Sequence, residues 1–314
     1  MYSIGIDIGA TNTDIGLVRN DGTILERENL PTQAFDKANA YISAISDKIQ
    51  QLLSRNGNPK LDGIGIGAPN GNHLTGCIEA NTANLRIKEK IPLGAILGET
   101  FHTYVKLDND ANAAALGEMV YGGAKGMRNF IMLTLGTGVG SGIVIDGNLL
   151  HGAHGAAGEL GHAIVNPNGR LCSCGRKGCI EMYASARGIC QNYREEVLKD
   201  AAASFTNQAE LDTITCQFVG ESAAKGDDLA LKAYDTTAYW LGLALANAAA
   251  FSEPEAIFLM GGPTRAGEAL MRPLRQYFEE NLLFLYKGKI SLQLSQLKSN
   301  DAAILGAAAL SSIH

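Results

Sequence analysis

Three cysteines and a histidine make the densest chemical signal in the sequence. Cys172-Ser173-Cys174-Gly175 and Gly178-Cys179 form a compact, turn-rich knuckle that can bring three thiolates to one point, with His162 upstream. Three sulfurs and one imidazole nitrogen fit a closed tetrahedral zinc site, which is structural and not catalytic because no position is left for water. Incidental free cysteines are the alternative. Cys77, Cys190 and Cys216 stand alone and read as ordinary small residues.

Two glycine-rich segments carry a second kind of chemistry. Asp7-Ile8-Gly9-Ala10-Thr11 and Leu135-Gly136-Thr137-Gly138-Val139-Gly140 each sit between strand-like runs. Glycine lets backbone amides approach phosphate oxygens, and threonine hydroxyls add donors. The dinucleotide fingerprint is excluded, because Ser141 stands where its third glycine would open a helix. The Walker pattern is excluded too, since Gly-Lys-Ser/Thr occurs nowhere. A tight hairpin without a ligand is the alternative for either segment alone. Used twice across a cleft, the device would hold a nucleotide between two lobes. A third feature is Asn109-Asp110-Ala111-Asn112 at a helix start. Asp110 there either caps the helix or, between two phosphate-binding turns, takes a proton from an attacking hydroxyl.

The elements that must position these groups alternate along the chain. Strands are expected at 3–8 and 13–18, with Asn20-Asp21-Gly22 turning into a strand at 23–29. Apolar spacing near 3.6 predicts a helix over 34–55. The run 61–67 alternates Gly and Ile, as a buried strand close to other backbone would. A helix at 92–101, a strand at 104–107 and a helix at 110–119 follow. A second strand–turn–strand covers 130–145, and 150–180 reads as loop. Helices are expected at 180–199, 215–224, 227–251 and 265–282, strands at 256–260 and 290–296, and a closing alanine-rich helix at 301–311. Alternation of this kind is α/β.

With 314 residues the chain suggests two domains. Hydrophobic residues at 46% and charged residues at 18% indicate a globular protein. Lys plus Arg is 26 against 32 Asp plus Glu, a net charge of −6 that argues against nucleic acid as a partner. No export signal is expected at the start, and no apolar stretch approaches the ~20 residues of a membrane span. A cytoplasmic protein with reduced thiols is expected, which favours a metal over a disulfide at the knuckle.

The motifs together resemble one family. Asp7-Ile8-Gly9-Ala10-Thr11, Asn109-Asp110, the run 135–142, Gly158-Glu159-Leu160-Gly161-His162 and the Cys172-to-Glu181 knuckle are similar, in order and over essentially the whole chain, to the ROK family (repressors, open reading frames, kinases) in its sugar-kinase branch. The resemblance implies the actin/hexokinase-type ATPase fold, with a duplicated βαβ-type core and an interlobe cleft. One lobe would span 1–115 with a returning helix at 300–314, and the other 116–299. Asp110 would be the general base. Asn84, Asn109, Glu159, His162 and Glu181 would bind sugar hydroxyls, with His162 also on zinc beside Cys172, Cys174 and Cys179. Asp7 would act near magnesium, Gly9, Thr11, Thr137 and Gly138 would contact phosphates, and Gly261 and Gly262 would lie against adenosine.

The expected reaction is transfer of the γ-phosphate of ATP to the 6-hydroxyl of a hexose, with Mg²⁺ and a structural Zn²⁺, in a homodimer. Glucose comes first, and N-acetylmannosamine, N-acetylglucosamine, mannose, allose and fructose stay open. Two departures bear on this. Pro263 follows Gly261-Gly262 where many relatives carry a third glycine, and Arg86-Ile87 follows Asn84-Leu85 where many glucokinases carry a Trp. The competing classes are a sugar-responsive repressor, for which no DNA-binding domain is expected ahead of the hairpin at Ser3, and an actin-like scaffold, which leaves Glu159, His162 and Glu181 unexplained.

Overall fold

Two five-stranded sheets repeat one strand plan, and a helix joins them. The computed structural model describes residues 1–82, 85–199, 211–298 and 301–312. β1 (Tyr2–Ile8) and β2 (Asn12–Arg19) pair antiparallel around the first glycine turn, and β3 (Ile24–Pro31) returns along β2. α1 (Ala38–Arg55) leads to β4 (Leu61–Ala68), parallel to β1. A small hairpin of β5 (Gly71–Asn72) and β6 (Cys77–Ile78), then α2 (Leu93–Phe101), precede β7 (Val105–Asn109), parallel to β4.

The chain then enters α3 (Asp110–Tyr121) and starts again. β8 (Phe130–Leu135), β9 (Val139–Ile145) and β10 (Asn148–Leu149) are antiparallel. Beyond the knuckle come α4 (Glu181–Ala184), α5 (Ala186–Lys199), α6 (Cys216–Ala224) and α7 (Asp228–Ser252). β11 (Ala256–Gly261), α8 (Glu268–Asn281) and β12 (Ser291–Leu294) complete the sheet, and α9 (Ala302–Ser312) closes the chain. The sheet orders, β3-β2-β1-β4-β7 and β10-β9-β8-β11-β12, are the same plan twice.

Each sheet buries its own core. Ile4, Ile6, Ile15, Leu17, Ile64 and Ile66 meet the Tyr41, Ile45, Ile49 and Leu52 face of α1, at the i, i+4, i+8 spacing of a helical stripe. Ile131, Leu133 and Leu259 pack under Leu241, Leu245, Leu270 and Leu274 of α7 and α8. Each such side chain contributes roughly 1.5–3 kcal/mol on burial.

Glycine sets how closely helices approach the sheets. A Cβ on Gly65 would lie 1.8 Å from the Ala307 carbonyl of α9, and one on Gly142 would lie 2.6 Å from Ala115 Cβ of α3. The Gly/Ile alternation of 61–67 is therefore a packing feature, with isoleucine in the core and glycine under a helix.

The element boundaries differ from the sequence expectation in several places. The helix expected at 180–199 breaks at Ser185, which is extended and whose hydroxyl accepts from the Gly188 amide to cap α5. The helix expected from 34 starts at Ala38, because 32–34 forms a separate tight turn. The helix expected from 265 starts at Glu268 after another such turn. The strand expected to run to 296 ends at Leu294, where the Ser295 hydroxyl and the Gln296 amide turn aside to the buried Glu118 carboxylate. The β5–β6 hairpin and β10 are too short to leave a periodic signal.

Candidate active site

The first glycine turn is a closed hairpin with a carboxylate beside it. The Gly9 amide donates to the Asn12 carbonyl at 2.9 Å, and Thr11 is exposed at the tip. Asp7 lies just inside, opposite Asp14 on β2 and Gly67 on β4. A Cβ on Gly67 would sit 3.6 Å from Asp110 Cα and 3.8 Å from Asp7 Oδ1, so the missing side chain leaves the two acids facing one space. Burial, with the charges of Asp110 and Asp14 adding, pushes Asp7 up to about 7.

The second turn is built alike but has no acid of its own. The Gly136 amide donates to the Gly138 carbonyl at 2.9 Å, and Thr134 and Gly140 stand where the first hairpin has Asp7 and Asp14. Its carboxylate comes from outside. Glu181 Oε2 accepts from the Val139 amide at 3.1 Å, and a Cβ on Gly138 would lie 2.4 Å from that oxygen. The Arg187 guanidinium donates to the Thr137 carbonyl and lies 3.9 Å from Glu181 Oε1. Gly261, in register with Leu135, adopts φ 111°, and a Cβ there would be 2.0 Å from the Leu135 carbonyl. Only glycine fits that position. Gly136, Thr137, Gly262 and Pro263 then line a cavity of about 430 Å³ with Tyr234 and Ala266. Pro263 opens the tight turn of 262–266, where its missing N–H costs no hydrogen bond.

Between the turns, β7 runs into α3. Asn109 is the helix cap: its Oδ1 accepts from the Ala111 amide at 2.9 Å. Asp110 is thus the first helical residue and not the cap. Its side chain is open to the cleft while protein surrounds the rest of it, and that burial raises its pKa against the hydrogen bond from Ala111. Water at the open face moderates the shift. Asn109, Asp110 and Glu159 share a cavity of about 260 Å³.

His162 and Glu181 are not among the residues lining that cavity; they belong to the knuckle behind the second turn. Asn84 lies outside the described residues. The cavity also takes Asn70, Asn72, Glu79, Asn112, Ser141 and His154, which the motifs did not single out. Position offered one signal. Asn70 follows the carboxyl end of β4, beside Asn109 at the carboxyl end of β7, and ligands of parallel sheets collect at such ends.

In the knuckle, the ligand atoms of His162, Cys172, Cys174 and Cys179 all lie within 4.8 Å of one another. The Cys174 and Cys179 sulfurs are 3.6 Å apart, and Cys172 Sγ is 3.7 Å from His162 Nδ1. Zinc–sulfur bonds of about 2.3 Å at tetrahedral angles need sulfur separations of just this kind, so the donor set fits zinc. Hydrogen bonds from Arg176 pull the Cys174 thiol down, while burial pushes Cys179 up.

Comparison with known proteins places this geometry. The ROK family profile matches residues 3–313. The chain belongs to the ROK family. A glucokinase of Halalkalibacterium halodurans is 37% identical over 314 residues, covering 97% of this chain and 93% of that protein. An N-acetylmannosamine kinase of Escherichia coli O157:H7 is 30% identical over 311 residues, covering 99% and 98%. The crystal structure of a ROK family glucokinase from Streptomyces griseus, in complex with glucose and AMPPNP, superposes with a TM-score of 0.79 at 30% identity and covers 99% of both chains. This ROK protein has the actin/hexokinase-like α/β fold, and its repeated sheet plan is that fold's duplication. No helix among its described residues is long and apolar enough to cross a membrane.

Proposed function

We propose that this chain is an ATP-dependent sugar kinase that phosphorylates the 6-hydroxyl of a hexose, with glucose as the first candidate. One observation carries the reading: Asp110 stands at the head of α3, free of the capping role, in a polar cavity that Gly140 of the second hairpin also lines, and it faces one space with Asp7 of the first hairpin across Gly67. The relatives named glucokinase, and the neighbour holding glucose and AMPPNP, support the choice of substrates.

The residues divide the work. Asn109 and Glu159 hold sugar hydroxyls in the cavity they share with Asp110. Asp110 accepts the proton of the 6-hydroxyl as that oxygen bonds to the γ-phosphorus and the bond to the bridging oxygen of ADP breaks. Gly9 and Thr11 on one side, and Thr137 and Gly138 on the other, offer amides and hydroxyls to the phosphates. Gly261 and Gly262 flank the cavity that takes the nucleoside. Asp7 fits a magnesium site, because Asp110 and Asp14 crowd it with negative charge that a cation would offset. Magnesium, when bound with ATP, would offset phosphate charge.

The knuckle suits zinc and sets the shelf for Glu181, whose Oε1 lies 3.9 Å from Cys172 Sγ. Glu181 and His162 reach the sugar, in this reading, only when the lobes close. The test is a coupled ADP-release screen against glucose, N-acetylmannosamine, N-acetylglucosamine, mannose, allose and fructose. Glucose is expected to give the highest kcat/KM; ADP release that no sugar stimulates would overturn the kinase reading.

A further inference from the structure

One cluster lies outside the motifs and outside the steps above. Asp108 is fully buried on β7, two residues before Asp110. Its Oδ1 accepts from the Asn109 amide and from Asn112 Nδ2, both at 2.8 Å, so it fixes the turn from which Asp110 projects. Its Oδ2 lies 2.7 Å from His151 Nε2. A carboxylate only accepts, so His151 Nε2 carries the hydrogen. His151 belongs to the other half of the molecule, just after β10.

A third group completes the contact. The ring of His73, from the β5–β6 hairpin, stacks on His151 with centroids 3.6 Å apart and planes 22° apart. His73 Nδ1 is buried with no hydrogen-bond partner, and a Cβ on Gly155 would lie 3.1 Å from it. Gly155, at φ 76°, therefore packs against this imidazole with no room for a side chain. Burial, then the neighbouring His151, push the His73 pKa down, against the opposing charge of Asp108. Two histidines and an aspartate invite a metal reading. Stacked rings hold their lone pairs in two nearly parallel planes whose centroids are 3.6 Å apart, so an ion in the plane of one imidazole lies well out of the plane of the other, and 2.7 Å is a hydrogen-bond distance.

The segment 151–159 is thus held to the first half at both His151 and Gly155. It is also closed on itself by the Ala157 amide donating to the His151 carbonyl at 3.0 Å. The same segment supplies one wall of the sugar cavity, from His154 to Glu159, and Asp108 supports the opposite wall at Asn109 and Asp110. We propose that His151, Asp108 and His73 form an interlobe latch that positions Glu159 and Asp110 across one cavity before sugar binds. His151 and His73 are positioning residues: they act through Asp108 and Gly155 and do not touch the sugar. The kinetic part of this inference rests on the sugar-kinase reading, and the structural part does not.

The test uses the full chain with His151→Ala and His151→Gln. Amide hydrogen exchange of the ligand-free protein reads the latch directly. His151→Ala is expected to speed exchange across 152–158 and leave β1 and β8 unchanged. In kinetics it is expected to raise the sugar KM on the order of tenfold, with the ATP KM changed by less than about twofold. His151→Gln, whose amide can still donate to Asp108, is expected to recover part of both effects. Unchanged exchange at 152–158 in His151→Ala overturns the latch; faster exchange with a wild-type sugar KM overturns its link to the cavity. Parallel losses for sugar and ATP would show a merely structural role. Asp108→Asn is expected to lower kcat as well, and if it fails to fold, the His151 variants decide. Wild-type protein that phosphorylates no hexose refutes the kinase reading while the exchange result still judges the latch.

Discussion

The two glycine hairpins share one backbone and differ in where their charge comes from. The β1–β2 turn has Asp7 and Asp14 facing each other across its own strands. The β8–β9 turn has Thr134 and Gly140 at that place, and borrows Glu181 from α4 and Arg187 from α5. A carboxylate built into a strand of the sheet is fixed in place, and burial, with the charges of Asp110 and Asp14 adding, pushes Asp7 to about 7. A carboxylate brought by a helix beside the knuckle can be repositioned when that shelf moves. In the proposed kinase, the fixed acid of the first hairpin would hold the cation, while the acid of the second depends on the knuckle for its place.

The sharpest way to break this comparison is at the group between the hairpins. Asp110→Asn is expected to lower kcat by about 10²–10⁴-fold, because it removes the proposed general base, with sugar affinity by calorimetry nearly unchanged. Near-wild-type turnover would mean that neither hairpin serves this acid. The next largest effect tests the borrowed shelf. Cys174→Ala, or chelation of the knuckle, is expected to lower Tm by roughly 5–10 °C and to weaken sugar binding. Equal Tm and equal affinity would detach the knuckle from the second hairpin.

Asp7→Asn addresses the built-in charge. The folded-state pKa of Asp7 is raised from 3.8 to about 7, so the folded protein holds a proton that the unfolded chain has released. Stability from this group therefore falls as pH rises through that window, and is flat above it. Removing the charge is expected to stabilise the ligand-free protein at pH 8 by about 1–2 kcal/mol after solvent screening, with no gain at pH 3 and with kinase activity lost. Thermal melts at the two pH values check the sign, and a loss of Tm at pH 8 would contradict it.

The smallest effects separate the turns residue by residue. A Cβ on Gly136 would meet nothing within 4 Å, while one on Gly138 collides with Glu181. Gly138→Ala is expected to raise the KM for both ATP and sugar on the order of tenfold by displacing Glu181. Gly136→Ala is expected to leave Tm alone, so any rise in its ATP KM reports direct contact with nucleotide.

Much of the site was legible because its residues are near neighbours in the chain. Asn109 and Asp110 are adjacent, the knuckle is packed into a few residues, and each glycine turn is a contiguous hairpin. Residue type and spacing were enough for these. The cavity lining was less legible: Asn70, Asn72, Glu79 and His154 come from loops whose mutual approach no local pattern records. The capping role also went to Asn109, which only backbone geometry reveals.

The amino-acid sequence by itself determined the alternating α/β order, the two hairpins, the histidine–cysteine knuckle and the family resemblance, since hydrophobic period, turn chemistry and residue spacing are local properties. Only the tertiary structure decided that Glu181 serves the second hairpin, that Gly67 leaves a space shared by Asp7 and Asp110, and that His151 reaches Asp108 from the other half. Those contacts join residues from separate segments, and their geometry follows from how closely glycine lets the helices and sheets pack.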